Sequence, residues 1–103
     1  MPGVYSLPSY RRSYDRYKVD DYATLIVNNA ERPSVLKDLS SRGGGIVSDY
    51  PLNANDRVGI IIRSSLFAQP LHREARVAWC SRADGNLYRA GLDFGPDNRI
   101  EFK

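Results

Sequence analysis

Two groups of polar residues in the sequence have types and spacings suited to binding an anion. The first is in "SYRRSYDRYKV", where Arg12 and Arg16 are separated by three residues and Arg11 stands directly before them. A guanidinium presents a planar fork of N–H donors that matches phosphate oxygens and the O6 and N7 atoms of guanine. The concentration of arginine in this segment therefore favours an anionic partner.

The second group lies in "KDLSSRGG" and consists of Asp38, Ser40 and Gly43. Residues two apart on a strand project from the same face, so the carboxylate and the hydroxyl would point in one direction. An ionised carboxylate only accepts hydrogen bonds, which suits paired N–H donors such as the Watson–Crick edge of guanine. The alternative is that Asp38 and Ser40 satisfy the backbone of a turn before a glycine hinge. On spacing alone, the turn interpretation is the stronger of the two.

The net charge of +3 is concentrated in the N-terminal segment. Residues 1–18 hold four basic side chains and one acidic side chain, whereas residues 19–103 hold eleven of each. With Pro2, Pro8 and few apolar anchors, residues 1–18 are predicted to form a flexible basic arm. Residues 19–103 are predicted to form a separate, electrically neutral folded body.

The body has the pattern of short strands separated by turns. Apolar residues alternate with polar ones in four segments, and each segment predicts one buried face: Ala23, Leu25 and Val27; Val58, Ile60 and Ile62; Ala75, Val77 and Trp79; Tyr88, Ala90, Leu92 and Phe94. Asn28-Asn29 and Asp84-Gly85 predict turns. Gly43 to Gly45 predict a bend or a close backbone approach before a short strand at Ile46-Val47. No segment has a long helical period, so we expect an all-β fold, a small antiparallel six-stranded β-barrel.

Little in the sequence supports catalysis or a metal site. His72 has no carboxylate at a spacing that would orient it, and Cys80 has no neighbour that would lower the pKa of its thiol. The chain has neither a Cys/His metal set nor a phosphate loop ending in Gly-Lys-Ser/Thr. It also has no secretory signal and no apolar run of about 20 residues. We predict a cytoplasmic binding module with no catalytic residue, no metal, no cofactor and no membrane insertion.

The order and separation of the two polar groups resemble those of the PilZ domain family, whose members are bacterial receptors for the second messenger cyclic di-GMP. R-x-x-x-R at Arg12–Arg16 and D-x-S-x-x-G at Asp38–Gly43 are both complete. "ARVAWC" and "YRAGLDF" are similar to the closing strands of a PilZ barrel, so the resemblance extends from about Tyr10 to Gly95. Asp15 stands where the family often has proline, and its negative charge is expected to weaken anion binding without changing the class of ligand.

The resemblance implies a single-domain PilZ-like split barrel that binds cyclic di-GMP. The arginines would contact phosphates or guanines, Asp38 would accept from guanine N1–H and N2–H, and Ser40 with the Gly43 backbone would complete the rim. For Trp79 two interpretations remain open, a packing surface for a base and a core residue. The predicted binding residues are Arg11, Arg12, Arg16, Asp38, Ser40, Arg42, Gly43 and Trp79.

The resemblance also gives a hypothesis for signalling. Cyclic di-GMP would draw the arm over the barrel and switch the interaction with an unidentified downstream protein, and Arg11 would decide whether one or two ligands bind. One alternative is a small barrel that binds single-stranded nucleic acid through the arginines and tyrosines of the arm. The neutral body argues against this alternative, and no DNA partner is expected. A second alternative is a PilZ-like protein adaptor that binds no nucleotide.

Overall fold

The alternating apolar residues form six strands that close into an antiparallel barrel. The computed structural model describes residues 16–102, and its strands are β1 (Arg16–Val27), β2 (Ala30–Ser40), β3 (Gly43–Ser48), β4 (Arg57–Arg63), β5 (Leu71–Arg82) and β6 (Tyr88–Asp93). Around the barrel the neighbours are β1, β2, β3, β6, β5 and β4, after which β4 pairs with β1. The prediction of an all-β, six-stranded antiparallel barrel is confirmed.

The barrel interior is filled by the apolar faces that the alternation predicts. Leu25, Ile60, Ile62 and Val77 are fully buried, and β2 and β3 add Leu36, Leu39 and Ile46. Removing each such side chain from water contributes about 1.5–3 kcal/mol, so these contacts favour closure of the barrel. The described part of the chain contains no helix long and apolar enough to cross a membrane.

Two predicted turns connect neighbouring strands. Asn28 and Asn29 both have positive φ, 51° and 66°, which is the backbone of the type I′ turn that joins twisted antiparallel strands. They join β1 to β2. In the loop between β5 and β6, Leu87 N–H donates to the Asp84 carbonyl over 2.8 Å, and Gly85 has a φ of 53°. Both turn predictions are therefore confirmed.

The glycine run differs from its prediction in one respect. Gly43 to Gly45 belong to strand β3, and the chain bends before them, at Ser41 and Arg42. The predicted close approach is present, because a Cβ on Gly43 would collide with the carbonyl oxygen of Leu92 on β6. Glycine permits this contact between two backbones, which is why three glycines are compatible with a strand here.

Both ends of the described chain are attached to the barrel. Arg16, Tyr17 and Lys18, which were predicted to belong to the arm, are the first residues of β1 and pair with β2. Residues 1–15 of the predicted arm lie outside the described residues. After β6, Ile100 is buried and its N–H donates to the Ser41 carbonyl over 2.8 Å. The Phe102 ring lies 4.7 Å from that of Tyr17.

Candidate functional site

One pocket brings together every predicted site residue that the structure describes. It has a volume of about 340 Å³ and lies on the outside of strands β2, β3, β6 and β5. The predicted residues in its lining are Arg16, Asp38, Ser40, Arg42, Gly43 and Trp79. Arg11 and Arg12 lie outside the described residues, so their positions stay predictions.

The strand register explains why this pocket exists. Asp38 on β2 is paired with Gly45 on β3, Gly45 with Gly91 on β6, and Gly91 with Trp79 on β5. Two adjacent strands therefore present no side chain between the carboxylate and the indole. We call this surface the glycine groove: Gly45 and Gly91 form its floor, and Asp38 and Trp79 form its sides.

Two β-bulges turn the sides of the glycine groove outward. Lys37 is the extra residue of β2 against β3, and Ala78 is the extra residue of β5 against β6. A bulge shifts the alternation of side chains by one residue. Trp79 is consequently 49% exposed, although Ala75 and Val77 before it are buried. The interpretation of Trp79 as a core residue is wrong, because the bulge at Ala78 moves it to the outer face.

Asp38 has an acceptor atom without a hydrogen bond. Its Oδ1 is buried and accepts no hydrogen bond from any described residue, although the Arg16 Nη1 atom lies 3.6 Å away as an ion-pair partner. Its Oδ2 lies over the floor, at 2.8 Å from where a Cβ on Gly45 would be. A buried carboxylate oxygen without a hydrogen bond is energetically costly, so a donor entering the groove would be stabilised there.

Trp79 covers the other half of the floor. A Cβ on Gly91 would lie 2.8 Å from the indole Cε2, so the ring lies directly above this residue. Its half-exposed face is the type of surface on which a planar base stacks. Any side chain at position 91 would displace the indole from its place.

Ser40 and Gly43 have contacts that the turn interpretation anticipates. The Ser40 hydroxyl is buried, donates to the Gly43 carbonyl over 3.3 Å and accepts from the Arg42 N–H over 3.2 Å. It therefore holds the bend between β2 and β3. Gly43 is required by the backbone of β6, as described above, rather than by an open space for a ligand.

Sequence reasoning missed Asp93, which lines the pocket beside Gly43 on the neighbouring strand. The Gly95 N–H donates to its Oδ1 over 2.9 Å, and Arg76 Nη2 donates to its Oδ2 over 3.2 Å. The Gly95 hydrogen bond is the main cause of a lowered Asp93 pKa. Arg76 and the charge of Arg42 act in the same direction, while partial burial opposes them. Asp93 is therefore ionised at neutral pH.

The glycines of the floor were also missed, although Gly91 left a signal. An isolated glycine within the strand pattern of "YRAGLDF" indicates a bulge or a close approach of another group. Asp93 left no such signal, because its place beside Gly43 depends on how β3 and β6 pair. Such pairing between distant segments is not visible in a local pattern.

Comparison with known proteins identifies the family. The family model described as "PilZ domain" matches residues 10–102, which is most of the chain. The chain belongs to the PilZ domain family. The match includes both sequence motifs and all six strands of the barrel. No curated protein sequence matches this PilZ domain.

Solved structures agree with this fold. The PilZ domain of YcgR from Escherichia coli, solved with c-di-GMP, is 20% identical, with a TM-score of 0.65 over 84% of this chain and 82% of that chain. MotI/DgrA of Bacillus subtilis, an inhibitor of motility, is 16% identical, with a TM-score of 0.66 over 90% of this chain and 44% of that chain. PlzA of Borreliella burgdorferi, in complex with c-di-GMP, is 20% identical, with a TM-score of 0.61 over 86% and 36%. This PilZ domain spans less than half the length of the MotI and PlzA chains.

His72 and Cys80, the residues considered for catalysis in the sequence, do not line the pocket. His72 is exposed, and Cys80 is partly buried and packs against the core. Within residues 16–102, no group of three or more His, Cys, Asp or Glu side chains is placed to hold a metal ion. The polar groups that line the pocket are the carboxylates of Asp38 and Asp93, the guanidiniums of Arg16 and Arg42, and the indole of Trp79.

Proposed function

We propose that this PilZ domain is a receptor for cyclic di-GMP and that the ligand binds in the glycine groove. The observation that carries the proposal is the buried Asp38 Oδ1, which accepts no hydrogen bond from any described residue. The N1–H and N2–H groups of guanine are adjacent donors that match a carboxylate. A guanine edge entering over Gly45 would present one donor to Oδ2, the oxygen that lies over the floor, and its second donor to Oδ1.

The phosphates of the ligand require positive charge beyond the described lining of the pocket. Arg16 and Arg42 are there, but Asp38 and Asp93 balance them. Arg11 and Arg12 come shortly before β1 in the sequence and would add two charges at the Arg16 side of the groove. Arginine suits this role because its fork contacts two phosphate oxygens together.

Trp79 would bind the second feature of the ligand, its flat bases. Base stacking on an aromatic side chain contributes roughly 1–3 kcal/mol per base. The half-exposed indole lies on the opposite side of the floor from Asp38. The edge of a base can therefore contact the carboxylate while the plane of the same base packs toward the tryptophan. Ser40 would act indirectly, by holding the bend that positions Arg42 and Gly43.

The output of this receptor would be a change of surface. On binding, the ligand would bring the segment that carries Arg11 and Arg12 over the groove, and a downstream protein in the bacterial cytoplasm would recognise the new surface. The PilZ domain of YcgR and PlzA, both solved with c-di-GMP, support the choice of ligand.

Isothermal titration of cyclic di-GMP tests the proposal. We expect wild-type protein to bind, and Arg12→Ala, Arg16→Ala and Asp38→Ala each to lose about ten- to a hundredfold in affinity, because a hydrogen bond to a charged group contributes roughly 1.5–3 kcal/mol. Arg63→Ala, on the opposite outer surface, is the matched control and should bind like wild type. Absence of heat at high micromolar ligand, or unchanged binding by all three variants, would refute the proposal. A measured ratio of one ligand per chain would remove the role of Arg11 in binding a second molecule.

A further inference from the structure

The glycine groove contains a second carboxylate that belongs to neither motif. Asp93 is two residues from Gly91 on β6 and faces outward like it, since Leu92 between them is buried. It is paired with Gly43, just as Asp38 is paired with Gly45. From strand and residue spacings, the Cα atoms of Asp38 and Asp93 lie roughly 12 Å apart, with only glycine backbone between them on β3.

Asp93 retains the capacity to accept further hydrogen bonds. Its two oxygens have about four acceptor positions, of which Gly95 N–H and Arg76 Nη2 occupy two. Its side chain is 46% exposed and lines the pocket, so the remaining positions are accessible from the groove. Arg76 and Gly95 also fix the orientation of the carboxylate, which reduces the entropy lost when a ligand binds.

We propose that Asp93 reads the second guanine of the ligand, by accepting from its N1–H and N2–H while Asp38 accepts from the first. The inference rests on the proposed function, since it concerns the same ligand and the same groove. Its physical basis is the match between two identical bases and two carboxylates on one glycine floor. The alternative role of Asp93 is structural, as the ion-pair partner of Arg76 at 3.2 Å.

The number of guanine-reading carboxylates in the groove determines which cyclic dinucleotides it accepts. A single guanine-reading carboxylate accepts a mixed cyclic dinucleotide that contains one guanine and one adenine, because the guanine can occupy that position. A second carboxylate rejects the mixed ligand, since adenine N1 is an acceptor and would face the carboxylate oxygens unpaired. Asp93 is thereby the residue that makes the groove select for two guanines.

The test is a titration of cyclic di-GMP and of mixed cyclic GMP-AMP into wild type, Asp93→Asn and Arg76→Gln. We expect wild type to prefer cyclic di-GMP by roughly tenfold or more. Asp93→Asn should weaken cyclic di-GMP binding and reduce that preference, because an amide can donate to adenine N1. Arg76→Gln removes the same ion pair but retains the carboxylate, so it should keep the preference. Thermal unfolding checks that both variants are folded.

The outcomes separate the two proposals. Wild type that binds cyclic di-GMP while Asp93→Asn keeps the full preference overturns this inference and leaves the proposed function in place. The same holds if Asp93→Asn and Arg76→Gln change both affinities equally, since that result assigns Asp93 to the ion pair alone. Wild type that binds neither ligand overturns the proposed function and this inference together.

Discussion

Two opposite outer surfaces of the barrel are formed by the same kind of antiparallel pairing but differ in what covers them. On β1 and β4 most outward positions bear side chains, including Thr24, Ile61, Arg63 and Tyr22, and Arg63 Nη1 donates to Thr24 Oγ1 over 2.6 Å. The outward glycine of this ladder, Gly59, is covered by the side chains of Ile26 and His72. On β3 and β6 the paired outward positions Gly45 and Gly91 bear none. A pocket forms over the second surface because these two positions have no side chains. The barrel is closed beneath both surfaces.

The strand ladders show a second difference between the two surfaces. The pairing of β1 with β4 runs from Tyr22 and Arg63 to Ile26 and Gly59 without a shift. The ladders on either side of β3 and β6 each contain one bulge, at Lys37 and Ala78. The bulges orient Asp38 and Trp79 toward the glycines, so the groove gains its two sides without a change in the core.

The largest expected effect comes from filling the floor of the groove. In Gly91→Val the new side chain would occupy the place of the Trp79 indole and the space for a base, so cyclic di-GMP binding should fall at least about a hundredfold. Position 91 faces outward and valine favours strands, so the barrel should remain folded. Calorimetry with a circular dichroism check measures both properties.

Thr24→Val on the opposite surface is the matched control for that substitution. It adds no bulk and lies away from the groove, so its affinity for cyclic di-GMP should equal that of wild type. If Gly91→Val binds normally, or if Thr24→Val loses binding to the same extent, the distinction between the two surfaces is wrong.

The smallest expected effect concerns acid stability on the groove side. The folded-state Asp93 pKa is lowered from its usual 3.8, so this carboxylate stabilises the fold above its unfolded pKa and loses that contribution as the pH falls through the folded value. Because the side chain is nearly half exposed, the change is small. Between neutral pH and about pH 3, the free energy of unfolding measured with a chemical denaturant should decrease less in Asp93→Asn than in wild type. Arg63→Ala on the other surface should keep the wild-type dependence of the unfolding free energy on pH. The same dependence in Asp93→Asn would contradict a lowered Asp93 pKa in the folded state.

The regular parts of this fold could be predicted from the sequence, whereas the irregular parts could not. A period of two assigns Leu25, Ile60 and Ile62 to the interior, because each extra residue along a regular strand reverses the side-chain direction. The same rule fails at Trp79, since nothing in "RVAWC" marks Ala78 as a bulge. A bulge depends on the partner strand as well as on the local sequence.

The candidate site divides in the same way. Asp38 and Ser40 were found from their spacing, and both line the pocket. Their partners across the groove, Gly91 and Asp93, belong to a segment about fifty residues later in the sequence. Only the register of β3 with β6 brings them to the same surface, so motif spacing identifies half of the groove and strand pairing identifies the rest.

The central claim is that cyclic di-GMP binds between Asp38 and Trp79, and the fluorescence of the protein tests it directly. Trp79 is the only tryptophan in the chain and lies in the groove, so its emission reports on this surface alone. Titration of cyclic di-GMP into wild type, with excitation where guanine does not absorb, should give a saturable change in emission at the same ligand concentrations as the calorimetric signal. Calorimetric binding with unchanged tryptophan emission would place the ligand elsewhere and contradict the account.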